Sequence, residues 1–202
     1  MTLLVYTFSF VFPFLLVMAV LQRLLVAGRG KASGWLPTLA LALVSAAVVL
    51  MPIRGLPAAR WLISLNANFS IPFTAVLFAL VWEGAWKKPV LDAKGYSACW
   101  IFGLTAGLLL YPMALGMGRF DPYPLGWAFS VFFVLLMTAT VLLLIYGNRF
   151  GIVLVAAILA YNLGVLESLN LWDYVVDPFY VLASLAGVGY GGMRALVAKA
   201  KK

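Results

Sequence analysis

The fold is decided by the stretch WAFSVFFVLLMTATVLLLIY, which runs from Trp127 to Tyr146 and contains no charged residue. A helix needs about 20 apolar residues to cross the hydrocarbon core of a bilayer, and this stretch has that length. Trp127 stands at its start, where an interfacial aromatic belt would place it. The stretch therefore predicts a transmembrane helix.

The composition extends this prediction to the whole chain. Of its 202 residues, 65% are hydrophobic and 10% are charged, whereas a soluble domain is roughly half apolar and a quarter charged. The mean hydropathy is +1.08. Because the charges fall between the apolar runs, each run can lie in hydrocarbon without burying an ion. We therefore predict a single polytopic membrane domain over residues 1–202.

Seven apolar runs follow one another, separated by short joins that contain glycine or proline. Short joins are typical of antiparallel neighbours, so the runs predict a compact all-α bundle of seven transmembrane helices. The predicted spans are residues 3–25, 35–53, 69–86, 97–115, 127–146, 150–167 and 178–196.

The basic residues predict the orientation of this bundle, because Lys and Arg near span ends are retained in the cytoplasm. With the N-terminus outside and the C-terminus in the cytoplasm, 11 of the 14 basic residues are cytoplasmic. The outer set is Arg54, Arg60 and Arg119. The cytoplasmic set is Arg23, Arg29, Lys31, Lys87, Lys88, Lys94, Arg149, Arg194, Lys199, Lys201 and Lys202.

Several classes of chemistry are disfavoured by the residue types present. The chain has no histidine, which is the commonest metal ligand and general base, and its single cysteine, Cys99, lies within an apolar run. No P-loop, GxSxG, HExxH or dinucleotide motif occurs. The basic residues are scattered over helix ends rather than forming a stripe. We expect no cofactor, no metal, no catalytic residue of a known motif and no nucleic-acid partner.

An acidic segment, residues 167–178, precedes the last predicted span and holds three of the six acidic residues. Its polar residues Glu167, Asn170, Asp173 and Asp177 are spaced 3, 3 and 4 apart, so in a helix they would share one face, with Asn162 beside it. One interpretation is an outward-facing polar cavity that binds a ligand. The other is a solvated loop in which Asp177 caps the last helix.

A second polar stretch precedes the third span, where Ser64, Asn66, Asn68 and Ser70 recur at every second residue. This period is not helical and fits an extended segment packed against protein. The predicted topology brings it to the same side as Arg119 and Asp121. The candidate ligand-binding residues are Asn66, Asn68, Arg119, Asp121, Asn162, Glu167, Asn170, Asp173 and Asp177.

Small residues spaced four apart form ridges along three predicted helices. Such ridges let helix backbones approach closely in lipid, either within the chain or against a partner helix. The candidate packing residues are Gly103 and Gly107, then Ala160 and Gly164, then Ala183, Gly187 and Gly191.

Glu83 lies near the cytoplasmic end of the third predicted span, and Lys87 follows it by one helical turn. This spacing predicts an ion pair between the two side chains rather than a proton-relay site.

These patterns favour two classes of function. The first is a non-catalytic accessory or scaffold subunit of a cell-envelope membrane complex, in the bacterial inner membrane, which meets lipid and another membrane protein through its small-residue faces. The second is a membrane carrier, or a protein that binds a lipid or small ligand at the outer polar cluster. An enzyme using Glu167, Asp173 and Asp177 is a further alternative.

Overall fold

The structure is a computed structural model that describes residues 3–29 and 34–200. Lys31, Lys201 and Lys202, which enter the charge count above, lie outside the described residues. The helices are α1 (Leu3–Ser9), α2 (Val11–Arg29), α3 (Trp35–Leu50), α4 (Ala58–Ile63), α5 (Ile71–Trp86), α6 (Ala93–Pro112), α7 (Val131–Ile145), α8 (Phe150–Leu163), α9 (Leu171–Val175) and α10 (Pro178–Ala200). The other elements are the strands β1 (Pro52–Ile53) and β2 (Leu56–Pro57), a π turn (Met113–Met117) and a 3-10 turn (Tyr123–Gly126).

Two stretches of the described chain are long and apolar enough to cross a membrane, Val5–Val26 and Ala93–Met117. The helices α3, α5, α7 and α8 are apolar but have only 14 to 16 residues. At 1.5 Å per residue they are about 21–24 Å long, which is less than the roughly 30 Å of a hydrocarbon core. The described chain thus has two stretches of spanning length and composition, and not seven uniform spans.

Pro13 explains why the first apolar run is divided. Proline has no N–H to donate, and its ring conflicts with the carbonyl of the residue four positions earlier, here Ser9. Helix α1 accordingly ends at Ser9, and the Phe10 N–H donates to the carbonyl of Thr7 at 3.2 Å. Helix α2 then begins at Val11.

Two predicted spans end earlier in the structure. Met51 adopts extended backbone (φ −57°, ψ 126°) before Pro52 and ends α3, whereas α8 ends at a left-handed glycine. The second span was predicted to reach residue 53, but α3 ends at Leu50 and a hairpin follows, with Arg54 at φ 50° and Gly55 at φ 83° in its turn. The sixth span was predicted to reach residue 167, but Gly164 adopts φ 60° and ends α8 at Leu163.

The connecting segments gather at the two opposite ends of the helices. Segments 51–70, 113–130 and 164–177 meet at one end, which we call the loop layer. At the other end, which we call the basic end, Arg149 donates to the carbonyl of Pro89 at 2.9 Å, and the Gly34 N–H donates to the carbonyl of Ala85 at 3.0 Å.

The hydrophobic core lies between these two ends. One cluster is built around α8, whose Phe150, Leu154 and Ala157 are fully buried against residues of α5, α6 and α10. A second cluster packs α2 on α5, where Phe12 stacks on Phe69 with 3.7 Å between ring centroids. The core holds the helices that carry the loop layer in fixed positions.

Candidate functional site

Asp177 joins the loop layer to the start of two helices. Its Oδ2 accepts hydrogen bonds from the Ser70 N–H at 2.9 Å and the Ser70 hydroxyl at 2.6 Å. Its Oδ1 accepts from the N–H groups of Phe179 at 2.9 Å and Tyr180 at 3.0 Å, which caps α10. These four hydrogen bonds occupy the roughly four acceptor positions of a carboxylate. Asp177 therefore acts as a buried structural link.

Burial determines the protonation behaviour of Asp177. The side chain is 2% exposed, and its desolvation raises the pKa of the carboxyl above its ordinary value, although the hydrogen bonds from Ser70, Tyr180 and Phe179 act in the opposite direction.

Asn170 links the acidic segment to segment 113–130. Its Oδ1 accepts from the Trp172 N–H at 3.0 Å and caps α9, while its Nδ2 donates to the carbonyl of Tyr123 at 3.0 Å. Gly126 allows this contact, because a Cβ there would lie 1.8 Å from the Asn170 Oδ1. Asn170 is fully buried, so its amide holds two segments together.

Trp172 strengthens the same junction. Its indole N–H donates to the carbonyl of Pro122 at 2.9 Å, and its ring stacks on Phe132 with 3.7 Å between centroids. It is 3% exposed. Trp172 precedes the last predicted span, so its position in the sequence predicts an interfacial residue, whereas in the structure it is a core residue.

Asp173 is held by two hydroxyl groups. Its Oδ2 accepts from the Tyr123 hydroxyl at 3.0 Å and from the Ser168 hydroxyl. Burial, the charge of Asp173 and the hydrogen bond to Asp173 together raise the pKa of Tyr123 to about 12. Within the described chain, no hydrogen bond is donated to the Asp173 Oδ1. This half-buried carboxylate keeps one oxygen available.

The asparagines of the second polar stretch contact the acidic segment. The Asn68 Oδ1 accepts from the N–H groups of Glu167 at 3.0 Å and Ser168 at 3.2 Å. The Asn66 Oδ1 accepts from the Asn68 N–H at 3.2 Å. The buried Asn66 Nδ2 has no hydrogen-bond partner among the described residues. Segment 51–70 and the acidic segment thus share one hydrogen-bonded network.

The remaining candidates lie outside this network or at its edge. Asn162 is exposed on α8 and donates to the carbonyl of Ile158 at 2.8 Å. Arg119, Asp121 and Glu167 are exposed, and the Asp121 Oδ1 accepts from the N–H of the nearby Tyr123 at 2.9 Å.

The expectation of one helical face over Glu167, Asn170, Asp173 and Asp177 fails. Helix α8 ends at Leu163 and α9 begins at Leu171, so the four residues lie on a bend, a cap, a short helix and a second cap. Their proximity results from contacts with other segments and not from helical periodicity.

Several residues of the network are not among the ligand-binding candidates that the sequence suggested. Ser70, Tyr123 and Ser168 provide its hydroxyl donors, and Tyr174 accepts from the Leu166 N–H at 3.2 Å. Only Ser70 carried a local signal, because it precedes an Ile-Pro helix start.

The small-residue ridges have different surroundings in the structure. On α6, a Cβ at Gly103 would lie 2.3 Å from the Ser184 Oγ, and one at Gly107 would lie 2.2 Å from a methyl group of Val181. Both neighbours belong to α10. A Cβ at Gly187 would lie 2.7 Å from the ring of Trp100. These glycines allow α6 and α10 to pack closely.

The other ridge residues have more open surroundings. Apart from chain neighbours and the backbone of its own helix, no described atom would lie within 4 Å of a Cβ at Gly164 or Gly191. Ala160 is half-buried against the core, and Ala183 is also half-buried. Whether these positions contact a partner helix stays a prediction.

The chemistry of the loop layer is that of a hydrogen-bonded junction. Among the residues that the structure describes, no group of three or more His, Cys, Asp or Glu side chains could hold a metal ion. Asp173 and Asp177 each accept hydrogen bonds from another connecting segment and from residues close to them in the chain. A comparison of the chain with protein families, with curated proteins and with solved structures finds no match in any of the three.

Proposed function

We propose that the chain is a seven-helix, multi-pass protein of the bacterial inner membrane, with its N-terminus outside and its C-terminus in the cytoplasm. The seven membrane-crossing units are the α1–α2 unit, α3, α5, α6 with its π turn, α7, α8 and α10. In this arrangement the loop layer faces outward and the basic end lies in the cytoplasm.

The alternation of the connecting segments supports this topology. Contacts join Ser70 to Asp177 and Tyr123 to Asp173, which lie in three separate connections at the same end. Arg149 reaches the carbonyl of Pro89 at the other end. A chain that crosses a bilayer back and forth brings alternate connections together in this way.

The exposed surface of α7 also supports a membrane location. Only Phe132, Leu136 and Thr140 of this helix are buried, and they recur every fourth residue. The opposite side exposes large apolar groups, including Leu135 at 62% and Ile145 at 71%. A helix that presents such residues outward requires lipid or another protein around it.

The short helices are compatible with a bilayer if the loop layer shields their outer ends. Irregular backbone is tolerated at membrane depth where it is buried in protein. Asn170 and Asp177 are buried and hydrogen-bonded there. A bilayer also adapts to short spans by thinning locally.

Within the membrane, we assign the chain the role of a non-catalytic accessory or scaffold subunit of a cell-envelope complex. One observation carries this assignment: the polar groups of the loop layer are largely used to hold its three segments to one another. All four acceptor positions of Asp177 are occupied by groups of the chain itself. Such a junction produces a rigid surface, which suits a docking role.

The alternative is a carrier or a ligand-binding protein that uses the loop layer. The available Oδ1 of Asp173 and the exposed Glu167 favour it, because both can accept a hydrogen bond from a ligand. The free Nδ2 of Asn66 could donate one.

Purification in a gentle detergent followed by native mass measurement distinguishes the two roles. A partner protein retained in a fixed stoichiometry supports the accessory role. A monomer that carries a small ligand, released when Asp173→Asn and Glu167→Gln are combined, overturns that role in favour of ligand binding. A monomer with neither also contradicts the accessory role.

A further inference from the structure

A cavity of about 710 Å³ lies between α2 and α5 at the basic end. Its wall combines apolar side chains with an amide and three charged groups. The lining residues are Ala19, Gln22, Arg23 and Val26 of α2, and Leu80, Glu83, Gly84 and Lys87 on and directly after α5. None of them takes part in the loop layer.

Gln22 and Gly84 form the floor of this cavity. Gln22 is 5% exposed, and its Nε2 donates to the carbonyl of Val81 at 3.2 Å. Its Oε1 lies beside Gly84, where a Cβ would come within 2.6 Å of it. The glycine therefore leaves room for a buried polar side chain between two apolar helices.

The charged groups of the cavity are available to a ligand. Glu83 and Lys87 were predicted to pair, yet no described Lys or Arg nitrogen lies within 4.0 Å of the Glu83 carboxylate. Lys87 adopts φ 57° at the end of α5 and so leaves the helical path. Arg23 and Lys87 offer positive charge and Glu83 offers negative charge.

We propose that this cavity binds the headgroup of a glycerophospholipid that carries a phosphate next to a primary ammonium, as phosphatidylethanolamine does. Arg23 and Lys87 hold the phosphate through charge-assisted hydrogen bonds. Glu83 accepts hydrogen bonds from the ammonium. The apolar wall formed by Ala19 and Leu80 receives the start of an acyl chain. Basic pockets between membrane helices on the cytoplasmic side are known to bind lipid headgroups.

The proposal that the phosphate belongs to a lipid rests on the membrane location proposed above. Membrane fractionation of each variant is therefore the first measurement. A chain absent from the membrane fraction would overturn the topology and the lipid proposal together, whereas a membrane chain without lipid selectivity would overturn only the lipid proposal.

The binding test uses the delipidated full-length chain in detergent and counts bound lipid by native mass spectrometry. Phosphatidylethanolamine is compared with phosphatidylcholine, whose trimethylammonium group has no N–H to donate to Glu83. The variants are Arg23→Gln and Glu83→Gln. Lys88→Gln is the matched control, because Lys88 is an exposed basic residue beside the cavity but not in its wall.

We expect Arg23→Gln to lower the occupancy of both lipids about fivefold or more, because it removes charge-assisted hydrogen bonds to the shared phosphate. Glu83→Gln should instead abolish the preference for phosphatidylethanolamine over phosphatidylcholine. Lys88→Gln should bind both lipids as the unchanged chain does.

Two results would overturn the proposal. Equal occupancy in all four proteins would show that lipid does not use this cavity. Displacement of the lipid by equimolar soluble phosphoethanolamine would show that the cavity takes a free phosphate compound rather than a lipid.

Discussion

Removal of the Asp177 carboxylate provides the most direct test of the loop layer. In Asp177→Ala, the N–H and the hydroxyl of Ser70, a fully buried residue, both lose their acceptor. Each unsatisfied buried group costs about 1–3 kcal/mol, and the loss of the cap on α10 costs about 1 kcal/mol. We expect the free energy of unfolding to fall by about 3–5 kcal/mol, since some relaxation will occur.

Asp121→Ala is the matched control for this change. Asp121 is also an acidic residue of the loop layer, but it is exposed and accepts one hydrogen bond, from the Tyr123 N–H at 2.9 Å. Its loss should cost less than about 1 kcal/mol. Equilibrium unfolding in mixed micelles, followed by tryptophan fluorescence, measures both variants. If Asp177→Ala is destabilised no more than Asp121→Ala, the carboxylate does not link the two helix starts.

The pH dependence of stability gives a second measurement on the same group. Burial raises the pKa of Asp177 in the folded state. The stability that this carboxyl group contributes is therefore fully present below its pKa in the unfolded chain, about 3.9. It is lost as the pH rises through the folded pKa. The free energy difference between the unchanged chain and Asp177→Asn should therefore decrease with rising pH. A difference that increases with pH would show that the hydrogen bonds outweigh desolvation.

Three further predictions address topology, helix packing and the half-buried acid. A reporter fused after Lys202 should be cytoplasmic and one fused at the N-terminus should be outside, and both ends on one side would contradict seven crossings. Gly187→Leu should lower stability by about 2 kcal/mol or more, because its side chain would overlap the ring of Trp100. Gly191→Leu should be neutral, because a Cβ there would have no described atom within 4 Å apart from its chain neighbours and the backbone of its own helix. Equal effects of the two changes in thermal unfolding would argue against close packing of α6 and α10. Asp173→Asn should leave complementation of a deletion strain intact if the acid is structural, whereas a folded but inactive variant would indicate ligand binding or proton transfer.

The beginnings of several helices could be read from the sequence. Helices α3, α8 and α10 start at Trp35, Phe150 and Pro178, as predicted, and α5 ends at Trp86, also as predicted. At each of these positions an apolar run meets a local breaker or capping signal, such as the Asp-Pro before α10. The local sequence is sufficient to predict a helix boundary where hydrophobicity and backbone preference change at the same residue.

The ends of helices in the loop layer were less predictable. Val165 and Leu166 continue the apolar run beyond α8, so hydropathy alone extends the predicted span past Leu163. The helix instead ends at the left-handed Gly164, and both apolar residues enter the core. Hydropathy reports the preference of a side chain for an apolar environment and not the conformation of its backbone. The predicted span was therefore too long at its C-terminal end.

The sequence by itself determined that the chain is apolar and helical, and where its polar residues concentrate. Only the tertiary structure decided what those residues contact. Ser70 and Asp177 are 107 positions apart, and Tyr123 and Asp173 are 50 apart, and no local pattern encodes such pairs. They meet because packed helices bring alternate connections to one end, where buried polar groups must find partners in one another.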